Sequence, residues 1–281
     1  MTLSYQGGLP SRAARALPVL GFGGAVVLIG LGLTVALPMW QKRPTLVPPP
    51  TVTIPAGEIS FRPGGDFRIG TRVVDAPLRQ VTTPGFAILQ FPVSQADYAL
   101  CVAAGACRAA DAKGQSADLA VTGVSFVDAS AYANWFSQAT GQSWRLPTDA
   151  EWQHAAAERA LSEDLGQSSD DPALRWLLSY RAEVAARDAA DPLVHPRGYF
   201  GQNSLGIGDL AGNIWEWTSS CFENTRLSAD GTVLDSSDYC GVRAVEGQHR
   251  TFVVDFIRDP QSGGCSVGFP PDFAGFRLVR D

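Results

Sequence analysis

The chain has 281 residues, of which 45% are hydrophobic, and its 22 Lys and Arg against 28 Asp and Glu give a formal charge of −6. Setting aside an N-terminal tail and apolar segment leaves roughly 235 residues, enough for one large domain or two small ones. A body this acidic excludes a nucleic-acid binder, which needs a basic stripe to displace counterions from phosphates.

Residues 16–41 carry no charge. The stretch exceeds the about 20 residues that cross a hydrocarbon core as a helix. Arg12 and Arg15 precede it, and Lys42 and Arg43 follow. A cleaved signal peptide is the alternative, but its apolar core is shorter and ends in a small-x-small site. The length favours an uncleaved anchor. The balanced flanking charges do not orient it, so orientation rests on the five cysteines. Cys101 and Cys107 flank a small-residue turn, and Cys221 and Cys240 bracket a polar insertion. Each pair can close a disulfide, which leaves Cys265 odd. The absence of any CxxC pair speaks against structural zinc. Cysteines beside an export-type helix favour an oxidising compartment. The predicted organisation is a cytoplasmic tail over residues 1–15, an anchor in a bacterial inner membrane over 16–41, a Pro-rich linker over 42–52, and one periplasmic domain over 53–281.

The stretch from Pro44 to Pro55 reads as stiff and extended. IPAGEISF and GGDFRIG then read as strands with glycine turns, and Val81–Leu89 as another. A first helix starts at Ser94, with Asp97 three residues on, and ends near Gly105. A second starts near Ser125 with Asp128 as its reciprocal cap. It keeps Ala129, Tyr132, Ala133 and Phe136 on one face, and Gly141 follows its end. Thr148 and Glu151 form the capping box of a third helix. A fourth is expected over Pro172–Ala186, and short strands and loops follow Pro196. The fold class is α+β, irregular and loop-rich.

Glu151 and His154 lie three apart on a helix, a spacing used in metal-binding bundles. No second copy exists, so the pair reads as an exposed helix face. The histidines His154, His195 and His249 form no HExxH, and no GxSxG elbow is present. GIGDLAG has a Gly-x-Gly look, but a dinucleotide loop leads into a long helix. Here it runs into NIWEWTSS, a strand-like segment. The same stretch offers carboxylates at Asp209 and Glu216 and backbone carbonyls at Gly212 and Ile214, an oxygen set that suits calcium. The alternative is a turn in which Asp209 and Asn213 satisfy nearby backbone N–H groups. Trp215 and Trp217 alternate with Glu216, so one strand face is expected to bury both indoles.

Several motifs together resemble the formylglycine-generating enzyme family, also called sulfatase-modifying factors. They are IPAG at Ile54–Gly57, GVSFVDASAYANWFSQATGQSWRLPTDAEWQHAAA at Gly123–Ala157, GIGDLAGNIWEWT at Gly206–Thr218, and the closing Gly275-Phe276-Arg277. They fall in the family's order. The resemblance implies one irregular domain related to C-type lectins. Active members oxidise a cysteine of an unfolded sulfatase to formylglycine with oxygen and Cu(I), held by two cysteines just after Gly-Gly-Ser. The matching region here is Arg243–Phe256, RAVEGQHRTFVVDF. Glu246-Gly247-Gln248 replaces Gly-Gly-Ser, and Thr251 and Phe256 stand where the two thiols are expected. Neither replaces a soft thiolate ligand. The family's calcium loop carries over: Asp209 and Glu216 fall on its side-chain ligands, Gly212 and Ile214 on its carbonyl ligands.

The tail resembles the NirV branch, exported proteins encoded near copper nitrite reductases in denitrifying bacteria. The leading expectation is a membrane-anchored periplasmic accessory protein that binds or matures a partner such as copper nitrite reductase. One alternative is an oxidase of protein cysteines with atypical copper ligands: His249, Cys265 and Cys240. Another is a lectin-like ligand-binding module, which rests on analogy of fold.

Overall fold

In the computed structural model the chain divides after Gln41. The described residues are 46–160 without 113 and 115, 191–263 without 192, 273–281, and isolated positions between 174 and 181. The expected anchor, Cys265 and most of the expected fourth helix lie outside them. Among the described residues no helix is long and apolar enough to cross a membrane.

Three helices begin with the same local device. Helices α1 (Gln95–Ala103), α2 (Phe126–Thr140) and α3 (Asp149–Ala156) each have a complete capping box, formed by Ser94 with Asp97, Ser125 with Asp128, and Thr148 with Glu151. The hydroxyl accepts from the third backbone N–H, and the acid reaches back to the cap, so two orphan donors are satisfied at once. Each capping acid also takes an arginine from elsewhere in the chain. Arg197 donates to Asp97 at 2.6 Å, Arg258 to both oxygens of Asp128 at 2.7 and 2.8 Å, and Arg145 to both oxygens of Glu151 at 2.7 Å. Helix α2 stops at Gly141, whose φ of 70° is the left-handed conformation that glycine adopts without strain.

Strand β1 (Thr51–Ile54) and strand β11 (Val279–Arg280) both pair antiparallel with β6 (Phe86–Leu89), which puts the C-terminus in the first sheet. Strands β2 (Gly57–Phe61) and β5 (Arg79–Thr83) form a separate antiparallel ribbon. The single strand expected over Val81–Leu89 is therefore two strands in two sheets. Pro84 between them has no N–H to continue a ladder. The Leu46 N–H bonds to the Ala139 carbonyl at 2.9 Å, and Thr51 pairs with Leu89.

The largest sheet runs β4 (Arg72–Val74), β3 (Gly65–Ile69), β7 (Trp215–Leu227), β8 (Val233–Glu246) and β9 (Thr251–Val254). The short β10 (Ala274–Gly275) pairs parallel with the start of β7. One apolar core packs α1 and α2 against Trp217, Val245, Val253 and Phe276; another packs α3 against Ile54, Phe86, Ile88 and Val279. Trp217 is fully buried and donates its indole N–H to the Val124 carbonyl at 2.9 Å. Trp215 is only half-buried. The two indoles are thus not equally covered, because Trp215 lies at the strand's start, beside the turn after β8.

Candidate functional site

The residues matching the family's copper centre form the end of β8, a turn at 247–250, and β9. Gly247 is needed in this turn because an added Cβ would sit 2.6 Å from the Trp215 ring. With no side chain there, the indole lies against the backbone and meets His249 edge to face, centroids 4.5 Å apart. Burial pushes the His249 imidazole below its usual pKa, which keeps the ring neutral.

Under this turn lies a cluster that the sequence reading missed. Asp149 is the first residue of α3 and 2% exposed; Glu246 closes β8 at 4% exposed. Arg250 donates to Asp149 at 2.7 Å, with its guanidinium 5.7 Å from the centre of the Phe61 ring. Gln153, one turn after Asp149, donates to Asp149 at 3.2 Å and to Glu246 at 3.1 Å from the same amide nitrogen. Burial, then the charge of Asp149 and the hydrogen bond to it, raise the Glu246 pKa well above the usual carboxyl range. Arg250 and Gln153 offset this only in part. The arrangement sets two buried acids beside the guanidinium of Arg250. The sequence signal was faint: Asp149 reads as a helix-start acid, and Glu246 as a substitute within Gly-Gly-Ser.

Among the described residues this region offers no soft donor pair. Thr251 is buried in β9, while Phe256, just past the strand, is 68% exposed. A hydroxyl and a phenyl ring do not fit Cu(I), which selects thiolates and imidazoles. Cys240 is bonded to Cys221, and Cys101 to Cys107, so the four cysteines among the described residues are all in disulfides. Of the atypical copper set, Cys240 is tied in a disulfide, Cys265 lies outside the described residues, and the Nδ1 of His249 lies 3.1 Å from the Arg250 carbonyl.

The two side chains expected to hold calcium, Asp209 and Glu216, have protein partners. Asp209, at a φ of 57°, accepts from the backbone N–H groups of Gly198 at 2.7 Å and Phe200 at 3.0 Å. Asn213 brackets the backbone of His195 with both ends of its amide at 2.9 Å. Glu216 is fully buried and holds the fully buried Arg277 through both oxygens at 2.6 Å; Trp152 adds an indole N–H at 2.9 Å. Arg277 reaches on to the carbonyls of Leu89, Gln90 and Gly208. The guanidinium thus stands as cation to Glu216. Among the described residues no group of three or more His, Cys, Asp and Glu is placed to hold a metal ion.

The pair read as an exposed helix face is not exposed. Glu151 is 4% exposed and clamped by Arg145, and His154 is half-buried, 2.5 Å from the Thr83 hydroxyl. Thr83 lies 71 residues before His154, out of reach of a local pattern, while Arg145 lies six residues before Glu151. His195 stacks on Tyr199 and contacts Asp191 at 2.6 Å, far along the chain from the turn after β8.

The sequence profile described as "Sulfatase-modifying factor enzyme 1-like domain" matches residues 38–281. A formylglycine-generating enzyme of Mycobacterium tuberculosis is 27% identical over 231 residues, covering 59% of this chain and 74% of its own. An inactive C-alpha-formylglycine-generating enzyme 2 of Bos taurus is 25% identical over 263 residues, covering 74% of this chain and 85% of its own. Among solved structures, PvdO from Pseudomonas aeruginosa aligns with a TM-score of 0.54 at 22% identity, over 85% of this chain and 99% of that one. That likeness is one of fold.

Proposed function

The chain belongs to the sulfatase-modifying factor enzyme 1-like domain family, and from that membership we propose a partner-binding role without cysteine oxidation. It is an exported accessory protein that holds or matures another protein. One observation carries this reading. By the resemblance, Thr251 and Phe256 fall at the thiol positions, and the four described cysteines are tied in disulfides. The name of the Bos taurus relative, an inactive member, supports it. The uncharged stretch over residues 16–41 and the disulfides support a body held outside the cytoplasm by an N-terminal anchor. The resemblance of the tail to NirV proteins points to copper nitrite reductase as the partner to try first.

The test uses the full chain in detergent, supplied with Cu(I), oxygen and a cysteine-containing sulfatase peptide. No aldehyde is expected on the peptide by mass spectrometry. Formylglycine formation that disappears with Cys265→Ser overturns the reading. Binding of purified copper nitrite reductase, followed by light scattering, tests the partner.

A further inference from the structure

The two disulfides have unlike surroundings. Cys101 is fully buried in α1 and bonds to Cys107 across a six-residue separation, closing the turn after the helix. Cys221 and Cys240 instead join β7 and β8 where the ladder is irregular. Cys221 pairs with Arg243 and the next residue, Phe222, with Tyr239, so Cys240, Gly241 and Val242 bulge from β8 opposite no residue of β7. Such bulges re-aim side chains and are over-represented next to active sites. Cys240 is exposed and Cys221 half-buried.

Arg243 is aimed at this bond. Its Nη1 lies 3.0 Å from the Cys221 sulfur and donates to the Ser219 carbonyl at 2.7 Å. The guanidinium packs over the Phe126 ring at 4.1 Å, from the first residue of α2, and its Nε has no hydrogen-bond partner. Among the described residues no carboxylate comes within ion-pair distance of it; Asp255 acts on it only through its field. A half-buried cation is therefore held against a disulfide sulfur, a weak and neutral acceptor. Opening the bond would give it a thiolate in contact.

We propose that Cys221–Cys240 is a thiol–disulfide exchange site that oxidises a dithiol on a partner protein. A partner thiolate attacks the exposed Cys240 sulfur, the Cys221–Cys240 bond breaks, and its electron pair leaves on Cys221 as a thiolate beside Arg243. The partner's second thiolate then attacks its own sulfur in the mixed disulfide and releases Cys240. The partner gains a disulfide, this chain gains two thiols, and two electrons have moved; protons exchange with water. One such turnover needs no other oxidant. The step goes beyond the accessory role and is independent of copper.

The experiment exposes the full chain to a dithiol peptide and follows each disulfide by alkylation and mass spectrometry. Cys221–Cys240 opens at least about tenfold faster than Cys101–Cys107, because exchange rates follow access and the acidity of the leaving thiol. In the reduced protein the Cys221 thiol, followed by thiolate absorbance in a Cys240→Ser background, titrates below the value of about 8.5 of a free cysteine. Arg243→Met raises that midpoint, and Arg243→Lys, which keeps the charge, does not raise it to the free value. A merely structural arginine would leave the midpoint unmoved. Equal opening of the two disulfides overturns the proposal, and so does a Cys221 midpoint that is ordinary or indifferent to Arg243→Met.

Discussion

Two buried ionic centres lie beside α3, with their acids Glu216 and Glu246 opposite each other on β7 and β8, and they differ in their charge balance. At the first, Glu216 meets Arg277 through two short bonds, one acid to one cation, with Trp152 completing the acceptor's coordination. At the second, Asp149 and Glu246 share the amide of Gln153, with Arg250 as the cation that pairs with Asp149. A one-to-one pair balances its own charges. Two acids brought out of water beside one guanidinium relieve their repulsion by keeping a proton. The first centre is therefore a fixed clamp. The second, beneath the turn that carries His249, is where solution conditions can act.

Breaking the clamp gives the largest effect. Arg277→Met leaves Glu216 buried without its cation, and removing one partner of a buried pair costs about 3–5 kcal/mol. Urea denaturation of Arg277→Met and of Glu216→Gln measures this, and a loss within experimental error for both would erase the distinction. The second centre gives a smaller, pH-dependent effect. The Glu246 pKa is raised in the folded state, so its contribution is fully present below the unfolded value of about 4.3. That contribution is lost as pH rises through the folded pKa. Glu246→Gln flattens this part of the stability profile; a mutant as steep as the parent would assign the slope elsewhere.

Asp128 and Glu151 titrate in the opposite sense. Burial pushes each carboxyl up, but their arginines and the capping hydrogen bonds outweigh it and hold both below the usual range. Their stabilisation is present above the unfolded values of about 3.9 and 4.3 and is lost as pH falls. Thr148→Ala removes a cap and lowers stability by about 1 kcal/mol in thermal or urea melts. The smallest expected effect is that of calcium. A cation at Glu216 has to displace Arg277, so calcium is expected to leave Tm unchanged. A rise in Tm that Asp209→Ala abolishes would reverse that view.

The helix starts were legible because a capping box is local: Ser or Thr and an acid three residues on. The disulfides were legible from spacing and composition. The break at Pro84 was passed over because the apolar pattern runs on from Val81 to Leu89, and only the pairing partners separate the two strands. Glu216 stood out in the sequence as a candidate carboxylate, but its partner Arg277 lies 61 residues away. No periodicity connects them. The acid pair of Asp149 and Glu246 was hidden for the same reason, since each residue looks ordinary within its own element.

The three capping acids bear on how the molecule breathes. In an isolated helix the first turn frays, because its amides face water and open at little cost. Here the residue that closes that turn in α1 and α2 is also held by Arg197 or Arg258 from a remote segment, whereas Arg145, six residues before Glu151, holds that of α3 locally. Local opening of the α1 or α2 start must therefore release a long-range contact as well. Amide hydrogen exchange at Asp97 and Asp128 should follow the slow, concerted openings of the domain and not the fast fluctuations of helix ends.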